Sequence, residues 1–399
     1  MSLSQTSLQR RHLLAGSAGA MAAVGLGTWS QAASAQAKPL PAYASWKDAE
    51  SFIVHSSNTM ETQRSAYGTS VITPSNHLYV RNNLPPPDAS IVANPDDWQV
   101  SIEGVAHERT LTVGQLKSLG IETVATVLQC SGNGRGFFPH KPSGTQWKVG
   151  AAGCVLWSGV PVRTVVEALG GVNKGRIYMT STGGETLPAG VDPNTLRVER
   201  SVPLEAMADA LLAWELNGEA LPLAHGGPLR LVIPGYQGVN SIKYVKRLAF
   251  TNTESGARIM TNSYRMAPVG GKSDPSQQSV LEMNVKSWVN GPLPEDGKLT
   301  AGTMQIHGVA FSGTNPVKRV EVSIDGGKTW RDARFVGPSL GKYAWRQFVL
   351  QANLPAGNHT IASRATDTAG NVQPEHRVEN NRGYNNNSWL DHAVTVTVA

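Results

Sequence analysis

Cysteine is scarce in this 399-residue chain: there are two, Cys130 and Cys154. No C-x-x-C-H occurs, so no haem is covalently attached to this chain. The ten histidines show neither H-E-x-x-H nor a C-x-x-C partner, which leaves a zinc site without support. Charged residues make up 16% of the chain and the net charge is +6. That balance is too mild and too dispersed for a nucleic-acid partner. Long apolar runs are also missing. The stretch Leu13 to Trp29 is diluted by Gly16, Gly19, Gly25 and Gly27, and no later segment approaches a membrane span. No internal repeat is apparent.

What is present begins with an address. Residues 1–37 combine paired Arg10 and Arg11, a glycine-rich apolar stretch and small residues at Ala33, Ala35 and Ala37. That pattern is an export signal cleaved after Ala35 or Ala37. The paired arginines before a weak apolar stretch point to the twin-arginine route, which carries folded proteins to the periplasm; an ordinary secretory signal is the alternative. Its removal takes away two arginines and no acids, leaving +4 of the +6. The remaining residues suffice for two domains with real cores.

Prolines 74, 85, 86, 87 and 95 exclude long helices from the start of the mature chain. From Trp98 the pattern alternates: strands at WQVSIEG, ETVATVLQC, GRIYMTST and LRLVIPG, helices at LTVGQLKSLG, PVRTVVEALGG and MADALLAWELNG. Mixed strands and short helices predict an α+β domain over 38–268. A linker at 269–283 follows, with VGGKSDPSQQ as its loose part. From 284 to 399 short alternating strands joined by turns, among them a hairpin at Asp325, Gly326 and Gly327, predict an all-β immunoglobulin-like sandwich.

Cys130 ends an apolar strand and is followed by SGNGRGFF. Asn133 and Gly134 favour a tight turn there, which presents the thiol at a rim beside Arg135. A nearby guanidinium favours the thiolate, the form that binds soft metals. Glycines 132, 134 and 136 lack the G-x-G-x-x-G spacing of a dinucleotide loop. Composition and spacing stop at an exposed, activated cysteine, with a nucleophile or a disulfide to Cys154 as the other readings.

The run QCSGNGR resembles the metal-binding C-[AS]-G-N-x-R loop of the sulfite oxidase and bacterial sulfite dehydrogenase family. Five further segments resemble that family in order: YVRNNLPPPD, QWKVGAAGCVLWSGVPV, LLAWELNGEALPLAHGGPLRLVIPG, SIKYVKRL and NNRGYNNNSW. Together they run from Tyr79 to Trp389 and cover nearly all the mature chain. The resemblance implies a sulfite-oxidase-type molybdopterin-binding domain followed by an immunoglobulin-like dimerisation domain. It implies a molybdenum-molybdopterin cofactor with Cys130 as the protein thiolate on the metal, which leaves Cys154 a buried free thiol. Arg81, Arg135 and Arg382 would hold a small oxyanion with Trp147, and Tyr264 would be the pocket phenol. Tyr79, Arg81, Asn83, His225, Arg230, Ser241 and Lys243 would hold the pterin and its phosphate.

Three departures from the pattern are visible. Asn83 stands for the family histidine, Gly134 for an arginine, and Leu390, Asp391 and His392 replace H-R-V. The implied reaction is oxidation of sulfite to sulfate, with electrons passed to a separate c-type cytochrome and the chain forming a homodimer, without nucleic acid or membrane. Sulfoxides or sulfane sulfur are alternative substrates, and a non-catalytic periplasmic binding protein is the alternative class.

Overall fold

Proline sets the character of the first part of the fold. In the computed structural model, which describes residues 39–399, the early segment forms single 3-10 turns and one small antiparallel sheet. Its strands are β1 (Phe52–Ser56), β2 (Thr59–Thr62) and β3 (Val80–Arg81), in that order. β3 ends on Arg81, so this sheet delivers the first of the expected pocket residues. The inferred export signal lies outside the described residues.

Two five-stranded sheets follow. One contains β4 (Gln99–Glu103), β5 (Arg109–Thr112), β8 (Tyr178–Gly183), β9 (Glu199–Pro203) and β13 (Val245–Thr251). The other contains β6 (Glu122–Gln129), β7 (Ala152–Pro161), β10 (Leu211–Leu216), β11 (Glu219–Ala220) and β12 (Arg230–Val232). The first has the order β5-β4-β13-β8-β9, with β4 and β13 parallel. The second has the order β11-β10-β7-β6, with β12 also on β10.

Helices are short connectors. α1 (Val113–Lys117) starts from a reciprocal cap, in which Gln115 N–H donates to Thr112 Oγ1 and Thr112 N–H to Gln115 Oε1. α2 (Val162–Ala168) starts after Pro161 and stops before Gly170 and Gly171, both at positive φ. α3 (Pro193–Leu196) and α4 (Arg258–Thr261) are single turns. A large apolar core between the layers includes Val100, Ile102, Val165, Leu212, Leu231, Leu248 and Phe250.

One expected helix is a strand. LLAWEL, read as part of the helix MADALLAWELNG, is β10, the centre of its sheet. It is buried along almost its whole length because neighbours cover both faces, so it shows no alternation, and a short apolar run carries no period to separate strand from helix. Asn217 and Gly218, both at positive φ, then turn the chain back into β11 as a two-residue hairpin. That Asn-Gly pair was the cue for a strand.

Beyond Asn284 the chain is a sandwich. One sheet holds β14 (Lys286–Gly291), β15 (Gly302–Phe311), β18 (Arg334–Val336) and β19 (Arg346–Leu354). The facing sheet holds β16 (Val317–Ser323), β17 (Arg331–Asp332), β20 (Gly357–Asp367) and β21 (Val394–Val398). The segment KTWRDARFV crosses between them: β17 pairs with β16, and β18 pairs with β19. Val289, Ile306, Phe348, Leu350, Ile361 and Val396 fill the space between the sheets.

The stretch after 268 is only partly a free linker. Met266 and Val280 N–H groups bond to Gln278 and Tyr264, and Gln237 and Met283 N–H groups bond to Leu281 and Gly235, which pins Ser279–Met283 to the preceding domain. A separate apolar cluster joins the two halves directly. Tyr67, Val127, Ala152 and Cys154 pack on Trp288, Phe311 and Trp345, and Trp345 Nε1 donates to Val71 O at 2.6 Å. An apolar seam of this kind favours a fixed arrangement over hinging.

Candidate active site

Cys130 sits one residue beyond β6, and its N–H still bonds to Ala151 O at 2.9 Å, so β7 sets the height of the thiol. The chain then turns sharply, with Asn133 N–H bonded to Cys130 O and Arg135 N–H to Gly132 O, both at 2.9 Å. Two of the loop glycines leave space that their neighbours fill. A Cβ on Gly132 would lie 2.4 Å from Arg135 Nη2, and one on Gly134, at φ +91°, would lie 2.9 Å from Asn386 Cβ.

The two cysteines are both free. In the β6–β7 ladder Cys154 is opposite Val127, three residues before Cys130. Alternation therefore puts the thiols on opposite faces. Cys154 packs with Val127 and Trp288, and Cys130 with Leu128, Val155 and Trp157. This register cannot form a disulfide between them. Burial pushes the Cys154 thiol up to about 12, whereas Cys130 opens onto two recesses.

These recesses share Arg81, Asn82, Asn83, Cys130 and Tyr264. The inner one adds Tyr79, Glu185, His225, Arg230, Ser241 and Lys243. Lys243 Nζ donates to Asn82 Oδ1 at 2.6 Å and Ala224 O at 2.5 Å. Arg230 Nη1 donates to His225 O at 2.9 Å, and its guanidinium lies 5.0 Å from the centre of the Trp157 ring. Ser241 Oγ accepts from Ile233 N–H.

The cations are crowded. Enclosure, reinforced by Arg230, holds Lys243 well below its ordinary range, and burial with Lys47 and Lys243 nearby does the same to His225. Burial brings Arg230 down to about 10 and Lys47, behind the wall, to about 6. Enclosure pushes Glu185 up to about 7 against the pull of Lys243. His225 Nε2 and Arg230 Nε are buried with no hydrogen-bond partner. Such a cluster is costly alone and is stabilised by an anion. A dianionic phosphate on a polar ring system fits this donor set.

The outer recess, of about 520 Å³, adds Arg135, Ser143, Thr145, Arg258, Arg382 and Tyr384. Arg135 Nε donates to Arg382 O at 2.8 Å and Nη1 to Thr145 O at 3.0 Å. Arg382 Nη1 donates to Ser143 Oγ at 2.6 Å. Arg81 bonds to Asn82 O and, at 2.7 Å, to Asn83 Oδ1. Tyr264 stacks on Tyr384 with ring centres 5.1 Å apart, and its hydroxyl reaches Asn83 Oδ1 at 3.4 Å. Asn83, which replaces the family histidine, therefore joins Arg81 to the phenol.

Arg382 reaches this site on a segment that follows the sandwich strand β20. That segment is tied to the cysteine loop by Asn385 N–H to Ser131 O and Asn386 Nδ2 to Gly134 O, both at 3.0 Å. From β14, Lys286 Nζ reaches Asn133 O at 3.4 Å. Both domains thus shape one loop.

Of the expected site residues, all but Trp147 line the two recesses. Trp147 is fully buried in the core behind Cys130, edge-on to Tyr79 with ring centres 6.3 Å apart. It supports the wall without forming it. Sequence reasoning missed Asn82, Glu185, Ser143, Thr145, Arg258 and Tyr384. Asn82 and Tyr384 lie inside motifs already quoted, and Glu185, in GGETLP, carried no signal.

Among the described residues no three His, Cys, Asp or Glu side chains converge as a metal cage. A metal at Cys130 must arrive with ligands of its own. Residues 85–259 match the model of the oxidoreductase molybdopterin-binding domain, and 277–398 that of the Mo-co oxidoreductase dimerisation domain. The sulfite oxidase of Gallus gallus is 31% identical over 338 residues, 80% of this chain and 72% of that protein. This chain belongs to the sulfite oxidase family.

The sulfite oxidase of Arabidopsis thaliana is 30% identical and 89% covered. The sulfane dehydrogenase SoxCD from Paracoccus pantotrophus superposes with a TM-score of 0.72 at 26% identity, over 87% of this chain and 89% of that one. Like its relatives, this member of the sulfite oxidase family is a molybdenum oxidoreductase with a molybdopterin cofactor. The inner recess, with its orphaned donors, suits the phosphate of that group, and the outer recess that it opens into at Cys130 has the room for the rest.

Proposed function

We propose that this protein is a periplasmic sulfite dehydrogenase in which Cys130 ligates the metal. The observation that carries the reading is the outer recess. Arg81, Arg135 and Arg382 surround the mouth of the cysteine loop in a lining without any carboxylate, which suits a small oxyanion.

The residues divide the work. Lys243, Arg230, His225 and Ser241 would hold the cofactor by its phosphate and pterin, and Cys130 would supply the thiolate. The bound group supplies the two-electron centre and the transferable oxygen. Arg135, braced on two backbone carbonyls, keeps its charge fixed beneath the substrate. Arg382 and Arg81 neutralise sulfite and orient its sulfur lone pair toward the cysteine side. Tyr264, held through Asn83, keeps a phenolic proton at the same mouth and would serve proton transfer there. Electrons pass one at a time to a separate c-type cytochrome, and the sandwich forms a homodimer.

The test is sulfite-dependent reduction of cytochrome c and ferricyanide by protein of known molybdenum content. Failure to turn over sulfite, with turnover of a sulfoxide or sulfane donor instead, would replace this reading. The Paracoccus neighbour makes sulfane sulfur the competitor to include.

Arg382→Gln should raise the sulfite KM about tenfold, the loss of one charge-assisted hydrogen bond. The brace on Arg135 uses the Arg382 carbonyl and survives the change. An unaltered KM would remove Arg382 from the anion site. Export is tested apart from catalysis: replacing Arg10 and Arg11 by lysine should strand the precursor in the cytoplasm, and normal export would refute the twin-arginine route.

A further inference from the structure

The outer recess is more cationic than sulfite needs. Four guanidiniums line it. Three are engaged, Arg135 with backbone carbonyls, Arg81 with Asn82 and Asn83, and Arg382 with Ser143. Arg258, exposed at the start of α4, has no hydrogen-bond or ion-pair partner for its side chain among the described residues.

Beside Arg258 the lining mixes polar Thr195 and Ser263 with apolar side chains. Leu84, Leu196 and Ile259 line the recess there, with the Tyr384 ring, itself stacked on Tyr264. A bare oxyanion gains nothing from apolar surface, whereas a short carbon chain does. The lining thus holds an anion site at the cysteine, several apolar side chains and a second, unpaired cation at the mouth.

We propose that this recess also takes organic sulfinates carrying a second anionic group, the sulfinate in the place of sulfite and a carboxylate against Arg258. The inference rests on the reading of the site as a sulfite-oxidising centre. A sulfinate keeps the pyramidal sulfur and lone pair of sulfite, with carbon in place of one oxygen. The sulfur gains one S–O bond, the oxygen comes from water, two protons leave to solvent, and two electrons pass to the acceptor that serves sulfite. The product is the sulfonate.

The experiment compares sulfite, methanesulfinate and 3-sulfinopropanoate on the molybdenum-loaded protein with ferricyanide as acceptor, sulfonate being identified by mass. Calorimetry with 3-sulfopropanoate, the product, measures binding without turnover. 3-Sulfinopropanoate should have a KM about tenfold below that of methanesulfinate, the worth of one charge-assisted contact. In Arg258→Gln that preference should vanish, the ratio of its kcat/KM to that of sulfite should fall about tenfold, and product binding should weaken in step. Oxidation of sulfite but of neither sulfinate would overturn the proposal and leave the sulfite reading intact. Equal turnover of both sulfinates, unmoved by Arg258→Gln, would overturn it as well. Oxidation of 3-sulfinopropanoate without oxidation of sulfite would sink the sulfite reading instead, and loss of all three would sink both.

Discussion

Replacing Cys130 by serine is expected to leave a folded, pterin-loaded protein whose sulfite turnover is at least about a thousandfold lower, some 4 kcal/mol of transition-state stabilisation. The fold should survive because the loop is shaped by backbone bonds, at Ala151, Gly132 and Asn385, and not by the thiol. The cofactor should stay because the anchors proposed for it, Lys243, Arg230 and His225, lie in the inner recess. What the variant loses is a soft, polarisable ligand, for which an alcohol is a poor substitute. Metal and pterin analysis beside kcat checks this. Turnover within tenfold of the parent would remove Cys130 from the centre.

Trp288→Ala should lower stability by about 3–5 kcal/mol and disturb both domains at once. The indole is fully buried at the seam, edge-on to Phe311 at 5.6 Å between ring centres and beside Tyr67 at 6.0 Å. Its neighbours Val127 and Cys154 sit on β6 and β7, the strands that carry the cysteine loop. Denaturant unfolding should show one cooperative transition in the parent, shifted to lower midpoint in the variant, with the metal released in the same transition. Two separate transitions in the parent would mean that the seam does not couple the halves.

The sequence carried much of this site because its chemistry is demanding. A loop that must turn at once after a thiol needs glycine at 134, at positive φ against Asn386, and leaves at 132 the space that the Arg135 guanidinium fills, so its pattern is legible. The cationic residues of the inner recess are legible because they too lie within the quoted motifs. Packing was less so. LLAWEL lies at the centre of its sheet, and covered faces erase the alternation that identifies a strand. β14, within the stretch read as alternating strands, shows no alternation, being buried at every position, Lys286 and Ser287 included.

Proximity across the chain was the least legible feature. Nothing local in NNRGYNNNSW says that Asn385 and Asn386 bond to the cysteine loop, or that Arg382 supplies a carbonyl to Arg135 and a guanidinium to the recess. Trp147 shows the opposite error. Its place in a motif beside the site was read as a place in the pocket, whereas it lies in the core that supports the pocket wall.

The central claim is that Cys130 ligates the metal that does the chemistry. X-ray absorption at the molybdenum edge tests it most directly, on the parent and on Cys130→Ser at matched metal content. The account predicts one fewer sulfur neighbour at molybdenum in the variant. An unchanged sulfur count would contradict it.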